Sequence, residues 1–213
     1  ADLQFGNSAI RLTQTADIVG NSDVKPLSCT EITEKIIERV EAMISDNFYK
    51  RTERLILRTP TEKDAEALAR ARSTEFVMRY NLYTECDGDQ IKKELAAYEH
   101  ILLAEADTQR IIGCVSMRDD PLRYHVASVT LHAWIVEDSA YKGYMLEALK
   151  EIIDLLFLEN ERVSVQIFSQ NTASIRLAKK LGFQEEGFIE RAVKNKKGEI
   201  FDVVLMSLAK WAT

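Results

Sequence analysis

Within residues 129–157 the apolar positions change period, and the change predicts a strand, a loop and a helix in succession. Val129, Leu131, Trp134, Ile135 and Val136 form a β-branched and aromatic run that suits a largely buried strand. Leu146, Leu149, Ile152, Ile153, Leu156 and Phe157 then recur at helical spacing, with Glu147, Lys150, Glu151 and Asp154 between them. That helix has one apolar face to bury. In the loop between them Gly143 permits a tight turn and brings the unpaired amides of a helix start close to whatever lies above.

The same reading extends along the chain. Residues 1–27 are rich in turn formers and predict little beyond a short strand over 9–12. Ile32, Ile36, Ile37, Val40, Met43 and Ile44 form the stripe of an amphipathic helix, whose apolar surface Phe48 and Tyr49 extend. The stripe must be covered, by the rest of the chain or by a second copy in a homodimer. A new domain starts near residue 51, with a short strand from Arg54 stopped by Pro60 and a helix capped by Thr59 or Thr61 that runs to about Arg72. A further helix is predicted over 90–100, a strand hairpin over 101–106 and 110–117, and a strand on Val163, Val165 and Ile167. Asn171 caps a last helix ended by Gly182 and Phe183, and strands over 187–193 and 199–208 close the chain as a hairpin.

Composition narrows the classes. At 213 residues, 46% hydrophobic and 29% charged, the chain suits one well-buried domain with an appendage. A formal charge of −6 disfavours nucleic acid as a partner and suits amine substrates better. Cys29, Cys86 and Cys114 are odd in number and lack Cys-x-x-Cys spacing, so the expectation is a reduced, cytoplasmic setting without a metal site. No apolar run approaches the ~18 residues that span a bilayer, so no membrane association is expected.

The loop over 137–145 is the first candidate for chemistry. A helix start with its positive dipole end, and Lys142 beside it, suits a diphosphate. A glycine in an ordinary strand-to-helix turn leaves the same signature.

Several motifs in this order carry a resemblance: Thr52-Glu53-Arg54-Leu55-Ile56-Leu57-Arg58; Tyr141-Lys142-Gly143-Tyr144-Met145; Asn171-Thr172-Ala173-Ser174-Ile175; Leu181-Gly182-Phe183; Glu186-Gly187; and Asp202-Val203-Val204-Leu205-Met206. Together they resemble the GCN5-related N-acetyltransferase (GNAT) superfamily, and within it the branch that acetylates N-termini of ribosomal proteins. The resemblance covers about residues 51–211. It implies an α/β (α+β) fold with a central mixed, mostly antiparallel sheet flanked by helices, over residues 51–213, following an N-terminal helical extension, residues 1–50.

The resemblance further implies acetyl-CoA as co-substrate, wedged where two central strands splay apart. Trp134, Ile135 and Val136 would meet its pantetheine arm, Tyr141, Lys142, Gly143, Tyr144 and Met145 its diphosphate, and Asn171 its flank. The acceptor would be a primary amine attacking the thioester, with an oxyanion held by an amide near Ile135 or Val136. Two departures stand out: Ala140 replaces a polar loop residue, and Ala178 replaces the tyrosine that in many relatives protonates the thiolate. Ser174 is the substitute acid, although a first-turn serine also bonds back to its cap. His132 is the candidate base, although a histidine in an apolar strand also serves as a packed residue. Glu186 and Asp202 are further candidates. The other function class left open is a CoA-binding or partner-binding module on the same fold that has lost catalysis.

Overall fold

The computed structural model describes residues 48–123, 125–195 and 198–210. The helix predicted on Ile32 to Ile44, and Cys29, lie outside them. The described chain forms an eight-stranded sheet in the order β1-β2-β3-β4-β5-β6-β8-β7. Its strands are β1 (Tyr49–Arg51), β2 (Leu55–Arg58), β3 (Glu99–Glu105), β4 (Ile111–Asp119), β5 (Ser128–Ile135), β6 (Arg162–Phe168), β7 (Gln184–Lys194) and β8 (Ile200–Ala209). Its α-helices are α1 (Ala65–Arg72), α2 (Glu75–Met78), α3 (Gly88–Ala97), α4 (Tyr144–Leu156) and α5 (Thr172–Lys180). The sheet is antiparallel except between β5 and β6, which α4 joins as a crossover.

Local chemistry sets the element ends. Thr61 and Asp64 form a capping box over a 3₁₀ turn that leads into α1, and Asp64 holds Arg58 through two hydrogen bonds of 2.7 and 2.8 Å. Asp87 and Gln90 form a second capping box, so α3 starts before Gln90. It stops at Ala97, because Glu99 and His100 enter β3 opposite Met117 and Ser116. Gly182 has φ +94°, and the bonds Gly182 N–H to Lys179 O and Phe183 N–H to Ala178 O complete a Schellman end on α5.

Three differences from the sequence reading concern short pieces. Tyr49 is not part of a helix surface: it pairs with Arg58 as the start of β1 and is exposed, so the sheet begins ahead of the boundary drawn at residue 50. The four-residue α2 has too little length for a periodic signal, and its cap is Thr74, which accepts from Val77 N–H. β7 carries an irregularity between Ile189 and Val193, where Arg191 has φ +50° and its N–H is held by Asp202 Oδ1 at 2.7 Å.

The sheet is covered on both faces. On one, α4 and α5 pack Leu149, Ile152, Ile153 and Ala178 against Leu55, Leu103, Val115, Leu131, Val163 and Met206. On the other, α1, α2 and α3 pack Leu68, Val77 and Ile91 against Ile56, Leu102, Cys114 and Trp134. Arg72 ties that second layer together: its buried guanidinium pairs with Glu94 and lies 4.6 Å over the Tyr83 ring.

Candidate functional site

The site begins with a pairing that stops. β5 and β6 run in register from Ser128 opposite Arg162 to Leu131 opposite Val165, and no further. Beyond that point β5 pairs only with β4, and β6 only with β8. The two strands therefore part across His132 to Ile135 and Gln166 to Phe168, and a cleft of about 490 Å³ opens there. Leu131, His132, Ala133, Trp134, Ile135, Val165, Gln166, Ile167 and Phe168 form its floor.

Ladder phase decides which backbone groups face the cleft. Val136 N–H donates to Ile112 O at 2.8 Å, and Val136 O accepts from Ser139 N–H at 3.2 Å. Alternation along an antiparallel pair then turns Trp134 toward Cys114 as well. Of the three residues expected to offer backbone groups, Ile135 alone presents its N–H and C=O to the gap, and Val136 is spent on other bonds. Val136 and Lys142 do not line the cleft; the remaining expected positions do.

One end of the cleft is the start of α4. Gly143 has φ +85° and stands at the helix N-cap; a β-carbon there would lie 3.4 Å from Arg54 Nη2. The first intrahelical bond is Glu147 N–H to Gly143 O at 3.0 Å, so the amides of Tyr144, Met145 and Leu146 have no acceptor within the helix. Tyr141 is a second left-handed position, with φ +61° and its ring in solvent.

Two arginines bracket this loop, and neither was assigned a role from sequence. Arg54 donates to Lys142 O at 2.9 Å and to Glu147 Oε2 at 2.8 Å, and its guanidinium lies 4.6 Å over the Tyr144 ring. Glu147 also accepts from Thr52 Oγ1 at 2.6 Å and Arg54 N–H at 3.0 Å. Partial burial pushes the Glu147 carboxyl up, and these hydrogen bonds overcome it, leaving the group below its ordinary range. On the other side Arg110 donates to Asp138 at 2.6 Å and to buried Ser139 at 3.0 Å. The signal was present in Thr52-Glu53-Arg54, but nothing in that run names its partner nearly a hundred positions away.

The two walls differ. On the α4 and α5 side stand Ser139 to Tyr141, Gly143 to Met145, Asn171, Ala173, Ser174, Leu177 and Lys180. Asn171 Oδ1 accepts from Ser174 N–H at 3.2 Å, so the cap bond uses the serine's backbone. The Ser174 hydroxyl makes no hydrogen bond among the described residues and borders the cleft. On the opposite side stand Phe76, Val77, Arg79, Tyr80 and Asn81, from α2 and the turn after it, which sequence reasoning missed.

His132 lies between the walls. It is half-buried, sits opposite Ser116 in the ladder, and shares with Trp134 the sheet face covered by α1 to α3. Burial, and then the Arg118 charge, hold its pKa below the ordinary 6.5, so the ring is neutral near pH 7. Glu186 and Asp202 stand apart from the cleft: Glu186 pairs with Arg123 and Arg162, and Asp202 holds Arg191.

A family model described as an acetyltransferase (GNAT) domain matches residues 54–184. The uncharacterized N-acetyltransferase YoaA of Bacillus subtilis (strain 168) is 27% identical over 171 residues, covering 75% of this chain and 95% of its own length. Among solved structures, a ribosomal-protein-S5-alanine acetyltransferase from Vibrio fischeri aligns with a TM-score of 0.69 at 18% identity, over 76% of this chain and 97% of the other. A spermidine N-acetyltransferase from Vibrio cholerae, solved with CoA and spermine, aligns with a TM-score of 0.65 at 18% identity, over 74% and 96%. With the model matching more than half of the sequence and the fold agreeing, this chain belongs to the GNAT acetyltransferase family.

Proposed function

We propose that this protein transfers an acetyl group from acetyl-CoA to a primary amine, on a protein N-terminus or a small molecule, in the cleft where β5 and β6 part. The observation that carries the reading is the end of the β5–β6 ladder at Leu131 and Val165 beside an α4 N-terminus whose first amides have no acceptor within the helix. A diphosphate suits those amides and the left-handed Gly143, with Lys180 on the same wall. Ile135 offers a strand edge to the amide groups of a pantetheine arm, and its N–H suits the oxygen of the thioester as negative charge develops there.

His132 suits the base. A neutral imidazole takes a proton from the incoming ammonium, and the freed nitrogen attacks the thioester carbonyl. As the C–S bond breaks, the nitrogen sheds its second proton to solvent, and the Ser174 hydroxyl gives its proton to the departing thiolate while taking one back from solvent.

The alternative reading, a CoA-binding module without turnover, draws on Ala140 and Ala178, which both line the cleft at positions where the resemblance to the family implies polar side chains. Acetyl-CoA consumption against a panel of amines separates the two. Turnover that falls in Ser174→Ala while CoA still binds supports transfer; CoA binding with no turnover of any amine supports the module.

A further inference from the structure

The −6 formal charge of the chain suits small cationic or amine substrates, while the charged side chains of the cleft are themselves cationic. Among the described residues its lining contains no aspartate or glutamate, and its charged side chains are Arg79 and Lys180. The two lie on different walls. Lys180 ends α5, on the side of the loop and the first amides of α4. Arg79 follows α2, beside Phe76, Tyr80 and Asn81 and on the sheet face of His132 and Trp134. Its guanidinium is exposed and, among the described residues, makes no ion pair, not even with Glu75 one turn earlier. Asn81 beside it is fixed by a 2.6 Å bond from Nδ2 to Val77 O, which leaves its Oδ1 as an acceptor.

A polyamine would have to bring its remaining positive charges into a lined space with no carboxylate and a free arginine, which is unfavourable on both counts. A planar guanidinium without a partner is instead suited to bidentate recognition of a carboxylate. We infer that the acceptor is an amine that carries a carboxylate near its nucleophilic nitrogen, and that Arg79 selects it by binding that carboxylate. The inference rests on the acetyl-transfer reading. An acidic peptide N-terminus and a free amino-acid-like amine share this chemistry.

The test uses the full chain with two matched pairs: the amidated tripeptides Ser-Glu-Glu and Ser-Lys-Lys, and β-alanine and its amide. Each is measured by acetyl-CoA turnover and by calorimetric binding to the CoA-saturated protein. The expected result is a preference of about tenfold or more for the carboxylate member of one pair, and the pair that shows it identifies the source. Arg79→Gln should abolish the preference and Arg79→Glu should reverse it, with the CoA-induced rise in melting temperature unchanged in both. Equal or better binding of both Ser-Lys-Lys and β-alanine amide by the wild type, each against its carboxylate counterpart, or an unchanged ratio in Arg79→Gln, overturns the inference and leaves acetyl transfer standing. A wild type that shows no CoA-induced shift overturns the transfer reading itself.

Discussion

Residue by residue, the cleft separates binding from chemistry. Valine at Gly143 must hold a β-branched side chain at φ +85°, a region that costs ~1–2 kcal/mol even for ordinary residues, and it crowds Arg54. Gly143→Val should therefore weaken CoA about tenfold or more in a titration, with the fold retained by circular dichroism. Ser174→Ala removes a hydroxyl that takes no part in the cap, so it should slow turnover at unchanged CoA affinity; equal loss of both would assign Ser174 to structure. His132 gives a pH signature. Its base form is the neutral ring, so kcat/KM should be full above the ordinary imidazole value of 6.5 and fall as the pH drops through a lower apparent pKa. The stability sign agrees: the unfolded chain binds the proton first, so stability is present above 6.5 and lost as the pH falls. His132→Gln should remove the acid limb from the rate profile, and a limb that survives in that variant would exclude His132 as the base.

The elements explain what was legible from sequence and what was not. Period alone predicted β5 and α4 to within a residue or two, because both bury a regular set of apolar positions. The end of α5 was equally readable, since Asn171, Gly182 and Phe183 each have a local job at a helix terminus. Short or non-local features escaped. The helix α2 offers one turn of sequence, and the clamp of Thr52 and Arg54 on Glu147 joins the β1–β2 turn to α4 across more than ninety positions. That clamp is testable as an element-level device. Glu147→Ala leaves Thr52 and Arg54 without their acceptor and frees the first turn of α4. It should cost about 1–3 kcal/mol in chemical denaturation and also weaken CoA; lost stability with unaltered CoA affinity would mean that the loop holds its shape without the clamp. In α5, Gly182→Ala puts a side chain at φ +94°, 3.4 Å from Leu208, and should cost about 1 kcal/mol with activity retained.

At the scale of the whole molecule, the sign of the net charge and the sign of the cleft's charged side chains differ. The formal charge of the chain is −6, whereas the cleft lining holds only cationic and neutral side chains among the described residues. The fold class, by contrast, followed from the resemblance that the ordered motifs carry, and the sheet agrees with it: it is mostly antiparallel, with one parallel pair across a helical crossover, and a cleft opens where that pair parts. The central claim is that this opening takes acetyl-CoA, and thermal unfolding with and without CoA tests it most directly. A ligand that binds only the native state adds ~2.7 kcal/mol at ~100 times its dissociation constant. For a chain of this size that is a rise of about 5–10 °C in melting temperature. The account predicts such a rise in the wild type and its loss in Gly143→Val; an unmoved wild-type melting temperature at millimolar CoA would contradict it.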